Sequence, residues 1–160
     1  MEIRIQATGA VVQEQEFRAM FPNTSLPNPL TESAINGLGG DVVFEGPQAS
    51  GGDRYQYSMR SGVEQLGGKW YTKYVLGPIF TDTPEATAAE QEAAYKASKD
   101  ADQAASVRAD RNARLAACDW TQVADAPVDK AVWATYRQSL RDISSQSGFP
   151  WEITWPVAPQ

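Results

Sequence analysis

The sequence predicts an α+β fold in three consecutive parts. A small β-rich N-terminal domain covers residues 1–80, a long Ala-rich helix or spacer covers residues 81–117, and a C-terminal module of helix plus extended Trp-rich segment covers residues 118–160. Short β-branched or aromatic runs divided by glycines indicate the sheet. Strong helix formers dominate residues 84–117. Four of the five tryptophans lie beyond residue 111, which sets the last part apart.

The strands of the N-terminal domain are predicted from alternation and composition. Glu2–Ile5 alternates charged and branched apolar side chains, as a half-buried strand does. Val42–Glu45, Tyr55–Ser61 and Trp70–Leu76 are rich in β-branched and aromatic residues. Leu66–Lys69 contains Gly-Gly, which supplies the positive φ angles of a tight hairpin turn. We therefore expect a compact sheet with a hairpin near its end.

Two short helices are expected among these strands. A helix around Gln13–Met20 should end before Pro22, since the residue before a proline disfavours helical geometry. Thr31 is a suitable N-cap for a second helix that runs to Asn36 and ends at the following glycines. The aromatic residues Trp70, Tyr71 and Tyr74 favour core and cross-strand packing over a platform that stacks on a ligand.

The middle part predicts one helix of roughly 30 residues, about 45 Å long at 1.5 Å per residue. We place Pro84 in its first turn. Its apolar stripe is mostly alanine, which buries little area, so a projecting spacer or a self-association helix is favoured over a core helix. A bent two-helix form stays open. The stripe consists of Ala86, Ala89, Ala93, Ala97, Ala101, Ala104 and Ala105.

The C-terminal module predicts a capped amphipathic helix and a strand. Asp129 should cap a helix from Lys130 to about Ile143. Its apolar side chains recur at steps of three and four, namely Val132, Trp133, Tyr136, Leu140 and Ile143. Trp151–Trp155 then alternates large apolar and polar residues between two prolines, which predicts an edge strand or an extended arm.

Composition excludes several classes of chemistry. The chain has no histidine and one cysteine, Cys118, so Ser-His and Cys-His mechanisms and the commonest zinc ligand are lacking. No glycine pattern matches a phosphate loop, and the paired carboxylates lie in solvated contexts. We expect no catalytic residue, metal or cofactor.

Charge and hydropathy limit the partners. The net charge is −6 and is spread evenly, so there is no basic lobe for nucleic acid. No run approaches the ~20 apolar residues that span a bilayer, and the N-terminal residues do not resemble a signal peptide. We therefore expect no nucleic-acid or membrane partner.

Aromatic and arginine residues near the C-terminus favour a protein-binding role. Arg108, Arg111 and Arg114 repeat every three residues, where they could contact a partner's carboxylates or stack on rings. Complementing the helix dipole is an equally good explanation. The four tryptophans supply more ring surface than one helix and one strand can bury, which favours an interface over a small core.

Several motifs resemble a known family. The strings R-x-x-R-N-x-R-L-x-x-C-D-W-T-Q, D-A-P-V, W-x-x-Y-R-Q-x-L-R-D-I and G-F-P-W-x-I-x-W-P are similar to the C-terminal module of phage tail assembly chaperone proteins, over Arg108–Pro156. The first 80 residues, with E-F-R-x-x-x-P-N-T-S and E-G-P-Q, resemble the part often joined to that module. The module's recurrent positions here are Trp120, Trp133, Tyr136, Arg137, Arg141, Phe149, Trp151 and Trp155.

The resemblance implies a non-enzymatic protein that binds a tail-fibre or baseplate polypeptide during assembly. Those recurrent positions are the predicted partner-binding residues, with the three arginines as a secondary interface and the Ala-rich helix as a route to homo-oligomers. The implied location is the host cytoplasm during assembly, and also the virion tail if the protein is retained. The main alternative is a permanent subunit of the fibre or baseplate with a glycan-binding N-terminal domain. A small glycan hydrolase is a rival that would need two carboxylates about 5–10 Å apart in a groove.

Overall fold

The computed structural model describes all 160 residues and confirms the predicted α+β class. The chain divides into two compact units, unit 1 at Met1–Ile79 and unit 2 at Phe80–Gln160. No helix is long and apolar enough to cross a bilayer. Each unit has its own set of buried side chains, so each is described by itself.

Unit 1 is a five-stranded sheet with two short helices. The strands are β1 (Glu2–Ile5), β2 (Val11–Gln13), β3 (Gly40–Phe44), β4 (Tyr57–Leu66) and β5 (Lys69–Gly77), and the helices are α1 (Glu14–Ala19) and α2 (Glu32–Gly37). The spatial order is β2-β1-β3-β5-β4, with only the β3–β5 pair parallel. Gly67 and Gly68 both have positive φ in the β4–β5 turn, as expected of the Gly-Gly hairpin. Thr31 accepts a hydrogen bond from the amide of Ala34 and caps α2, as predicted.

The core of unit 1 lies between the helices and one face of the sheet. Ile3, Phe17 and Ile35 are completely buried, and Leu30 is nearly so. Gly40 permits this packing because a Cβ there would lie 2.8–2.9 Å from side-chain atoms of all three. Small size at this position therefore lets a strand and two helices meet closely.

The opposite face of the sheet is strongly curled and carries an ion pair between distant strands. Arg60 on β4 donates two hydrogen bonds to the carboxylate of Glu2 on β1, at 2.8 and 2.6 Å. Two strands separate β1 from β4, and a flat sheet would hold them about 14 Å apart. The ion pair therefore joins two strands that curling has brought together. The hydrogen bonds from Arg60 hold the pKa of the Glu2 carboxyl below its ordinary value.

Unit 2 is built on α3 (Ala88–Ala117) and α4 (Lys130–Arg141), with short 3₁₀ helices at Asp119–Gln122 and Asp142–Ser145. The 30-residue length of α3 agrees with the prediction, but its start at Pro84 was wrong. Thr87 and Glu90 form a capping box that begins the helix at Ala88. Asp129 accepts hydrogen bonds from the amides of Ala131 and Val132 and caps α4, as expected.

The alanine stripe of α3 does not form a continuous buried face within the chain. Of its seven members, Ala104 is buried and Ala86 is half-buried, whereas the other five are exposed. Val107 is the second buried residue of the helix. The first half of α3 is thus largely solvated in the single chain.

The Trp-rich segment forms no strand, so of the two predicted forms for Trp151–Trp155 the edge strand was wrong and the extended arm agrees with the structure. The amides of Trp151 and Glu152 both donate to the carbonyl of Gly148, which makes a turn where the strand was expected. The Gln146 side chain then bonds both backbone groups of Thr154, at 2.8 and 2.9 Å. A side chain therefore satisfies the backbone groups that a neighbouring strand would otherwise pair.

Candidate protein-binding surface

The candidate site rests on a small core between α3 and α4. Cys118, Tyr136 and Leu140 are its buried members, and Leu115, Trp133 and Trp155 pack around them. Ile143 and Thr121 are also completely buried. Four of the five predicted stripe residues therefore face inward, whereas Val132 is exposed.

Arg137 is buried and binds its own chain. One guanidinium nitrogen donates to the carbonyl of Leu115 at 2.8 Å and lies 3.0 Å from the Cys118 sulfur. The other terminal nitrogen donates to Asp119 at 2.7 Å. Burial lowers the pKa of Arg137, but the hydrogen bonds to Asp119 and Cys118 outweigh it and the pKa lies above its ordinary value. The residue thus caps the C-terminal end of α3.

Three aromatic rings lead from this core to the surface. Tyr136 is buried, and its ring meets that of Trp133 edge-on at 5.7 Å. Trp133 is half-buried and lies 6.1 Å from the ring of Trp120, tilted by 56°. Trp120 is 51% exposed. The outermost indole is therefore oriented by the chain but only half covered by it.

The C-terminal segment is held against α3 by polar and ring contacts. The indole nitrogen of Trp151 donates to Asp100 at 2.6 Å. Gln103 donates to the carbonyl of Pro150 at 3.4 Å. Phe149, Trp151 and Trp155 are each half-buried. These three rings join distant parts of unit 2.

The three arginines of α3 also act within the chain. The guanidinium of Arg108 lies 5.3 Å from the ring of Phe149, and that of Arg114 lies 4.3 Å from the ring of Trp155. The hydrogen bond from Arg114 to Asp110 raises the pKa of the arginine. Arg111 donates to Asn112. Two of the arginines thus stack on rings of their own chain, while Arg141, the remaining predicted arginine, is exposed on α4.

An exposed apolar surface surrounds the start of α4. We define the aromatic patch as Trp120, Val123, Val132 and Trp133, of which the first three are 51%, 52% and 48% exposed. Val132 also lines an adjoining C-terminal groove of about 330 Å³. The other groove residues are Thr135, Tyr136, Ser139, Pro156, Val157 and Pro159.

Several of these residues were not singled out from the sequence as partner-binding positions. Val132 was assigned to the inward stripe of α4, yet it lies at the edge of that stripe and faces solvent. Val157 is 91% exposed, and no periodic pattern marks it. Its only sequence signal is an aliphatic residue between prolines, Pro156 and Pro159, in a short tail.

The arrangement suits binding more than chemistry. No group of three or more Cys, Asp or Glu side chains is placed to hold a metal ion. The surface offers apolar area, ring faces and scattered carboxylates, which are the components of a protein interface. Unit 2 therefore carries the components of a protein-binding surface.

The family comparison agrees with a protein-binding role. Residues 104–160 match the family model described as phage tail assembly chaperone protein, which confirms the resemblance seen in the sequence. The matched range contains the aromatic patch, the groove and all of α4. The match supports a role in phage tail assembly. No curated protein and no solved structure matches the chain significantly.

Proposed function

We propose that this chain binds a tail-fibre or baseplate polypeptide of its phage and assists the assembly or attachment of that polypeptide without catalysis or a cofactor. The observation that carries the proposal is the half-exposed Trp120, which packs at a tilt against Trp133 within the segment that matches the chaperone family. Binding would take place in the host cytoplasm during assembly.

The predicted partner-binding residues then divide into two roles. Trp120 and Trp133 supply contact area, and Arg141 is exposed at the opposite end of α4. The buried Tyr136 and Arg137 position that surface from behind. Phe149, Trp151 and Trp155 hold the C-terminal segment in place. In this proposal Arg108, Arg111 and Arg114 stabilise that segment more than they contact a partner as a secondary interface.

The exposed part of Trp120 is large enough to matter for affinity. A tryptophan can bury on the order of 200 Å², so covering the exposed half removes about 100 Å² from water. At roughly 25 cal/mol per Å² this contributes about 2.5 kcal/mol. Residues of this kind dominate binding energy at interfaces.

Co-expression with the fibre and baseplate polypeptides of the same phage, followed by size-exclusion chromatography, tests the proposal. The wild-type chain should elute with one of them. Trp120→Ala should abolish co-elution, whereas Tyr57→Ala, which removes a 54% exposed ring from unit 1, should not. If the Trp120→Ala variant still co-elutes with the tail protein, the proposed site is contradicted.

Self-association through α3 is a second part of the proposal. Ala89, Ala93 and Ala97 are exposed along one side of the helix, and alanine lets two helices approach closely. Light scattering across a concentration series should then show an oligomer that Ala93→Glu disrupts. A monomer at every concentration would remove this part and leave the partner-binding part standing.

Retention in the virion as a permanent subunit with a glycan-binding unit 1 has weaker support. The guanidinium of Arg4 lies 3.9 Å from the centre of the Trp70 ring, and the Tyr74 hydroxyl donates to Glu45 at 2.6 Å. A sugar would have to displace Arg4 to stack on that side of Trp70. Mass spectrometry of purified virions tests retention directly.

A further inference from the structure

We propose that the aromatic patch and the C-terminal groove together receive a basic segment of the partner polypeptide. That segment would place an aliphatic or aromatic side chain against Trp120 and lysine or arginine side chains against nearby carboxylates. The inference rests on the proposed function, because it names the chemistry of the partner at the same site.

The patch has an acidic rim, which we define as Asp119, Asp125 and Asp129. All three side chains are exposed, and that of Asp119 is 66% accessible even though it accepts a hydrogen bond from Arg137. Lys130 is the basic residue nearest in sequence, and its ammonium donates to the carbonyl of Ala124 at 2.7 Å. Arg137 offsets Asp119 and Lys130 offsets one further carboxylate, so these three carboxylates and two cations carry a net charge of −1.

Two hydroxyl groups of α4 in the groove can accept hydrogen bonds. The Thr135 hydroxyl donates to the carbonyl of Ala131, and the Ser139 hydroxyl donates to that of Thr135. Each hydroxyl hydrogen is thus used inside α4, while the oxygen keeps acceptor capacity. Carboxylates on the rim and hydroxyl oxygens in the groove both fit a donor-rich partner, and lysine and arginine side chains carry donors only.

Charge also argues against a second copy as the occupant. Residues 80–160 contain eight basic and twelve acidic side chains, and the whole chain has a net charge of −6. A second acidic surface brought against the rim would be repelled. A basic segment from a different polypeptide is attracted, with an affinity that falls as salt rises.

The test uses the full-length protein and synthetic peptides of about 15 residues, long enough to cover patch and groove in extended form. Each peptide contains either Leu and Trp or only Ala as its apolar residues. Each also contains Lys, Gln or Glu as its polar residues. Fluorescence anisotropy should show at least tenfold tighter binding of the Leu/Trp–Lys peptide than of its Glu counterpart. Raising salt from about 50 to about 500 mM should weaken that binding about tenfold.

Charge variants test the rim. Asp125→Asn with Asp129→Asn removes two charges, and asparagine keeps the cap of α4 because it is as good an N-cap as aspartate. This pair should weaken binding of the Lys peptide several-fold and leave binding of the Gln peptide unchanged. The matched control, Glu85→Gln with Asp102→Asn, removes two exposed charges elsewhere in unit 2 and should have no effect.

The outcomes separate this inference from the proposed function. If rim and control variants behave alike, if Glu peptides bind as well as Lys peptides, or if no Lys peptide binds, the basic partner is overturned while co-elution with a tail protein can still stand. If Trp120→Ala binds peptides and tail protein as well as wild type, both proposals fail. A dimer that Trp120→Ala dissociates would identify a second copy as the occupant and overturn the basic segment.

Discussion

Units 1 and 2 differ in where they place their largest apolar side chains. Unit 1 buries Ile3, Phe17 and Ile35 completely, and Arg4 stacks on Trp70, its only tryptophan. Unit 2 buries Leu140 and Ile143 completely but leaves its four tryptophans half-buried or exposed. Four of the five incompletely buried tryptophans therefore lie in unit 2, which is where the proposed contact surface is placed.

The two units expose similar numbers of large apolar side chains but arrange them differently. Those of unit 1 are Met1, Met20, Tyr57, Leu66 and Ile79, of which Tyr57 and Leu66 lie at opposite ends of β4 and Met20 directly follows α1. Single exposed apolar side chains of this kind are normal. In unit 2, Trp120, Val123 and Val132 lie around the first turn of α4. Clustering is what marks a binding surface.

The largest effect should come from the small core of unit 2. Leu140→Ala empties a completely buried position and should lower the free energy of unfolding by about 2–5 kcal/mol. Val132→Ala on the same helix removes a 48% exposed side chain and should change it by less than about 0.5 kcal/mol. Urea unfolding followed by tryptophan fluorescence measures both. Similar losses would mean that the patch is part of the core.

Most elements could be predicted because their signals are local. The Gly-Gly hairpin, the Thr31 cap and the Asp129 cap each depend on residues within one turn. The start of α3 could also have been predicted from the sequence, because Thr87 and Glu90 have the spacing of a capping box. The strand β2 was missed, since Val11–Gln13 is three residues long and exists through pairing with β1. The strand expected at Trp151–Trp155 failed for the converse reason: alternation was present, but no partner strand was.

The candidate site was only partly predictable. Spacing along α4 identified Tyr136 and Leu140 as inward-facing, and both are buried. The spacing could not show that Trp120 is exposed and Trp133 half-buried. The exposure of the two indoles depends on how the 3₁₀ helix at Asp119–Gln122 packs against α4. The intrachain role of Arg137 depends on the ends of two helices meeting, which no local pattern encodes.

Arg137 provides the second prediction. Arg137→Met keeps the apolar stem but leaves the carbonyl of Leu115 and the carboxylate of Asp119 without their donor. We expect a loss of about 1.5–3 kcal/mol in the free energy of unfolding, the range for hydrogen bonds to charged groups. Arg141→Met, four residues on and exposed, should be nearly neutral. Circular dichroism melts of the two variants give the comparison, and equal melting temperatures would contradict the capping role.

The ion pair that spans the curled sheet should have a smaller, pH-dependent effect. Because Arg60 lowers the folded-state pKa of Glu2, the pair contributes stability above the unfolded pKa, near 4.5, and loses it as pH falls through the folded value. Glu2→Gln should cost up to about 1 kcal/mol at pH 7, since both side chains are partly exposed. The difference from wild type should shrink below pH 4.5.

Glu64→Gln is the matched control for that series. Its carboxylate lies 4.0 Å from Lys73, a longer and more exposed pair than Glu2–Arg60. We expect no measurable pH-dependent difference from wild type. A difference between wild type and Glu2→Gln that persists unchanged at low pH would show that the glutamine perturbs the sheet by other means.

Trp120→Ala tests the contrast between the two units most directly. The half of the ring that the chain covers is about 100 Å², which at roughly 25 cal/mol per Å² sets an upper limit of about 2.5 kcal/mol on the loss in free energy of unfolding. Trp133→Ala should cost more, because Trp133 packs on the core formed with Tyr136 and Leu140. A Trp120→Ala variant that unfolds as easily as Trp133→Ala would place both indoles in the core. The contrast between the two units would then fail, since unit 2 would need its surface rings for its own stability.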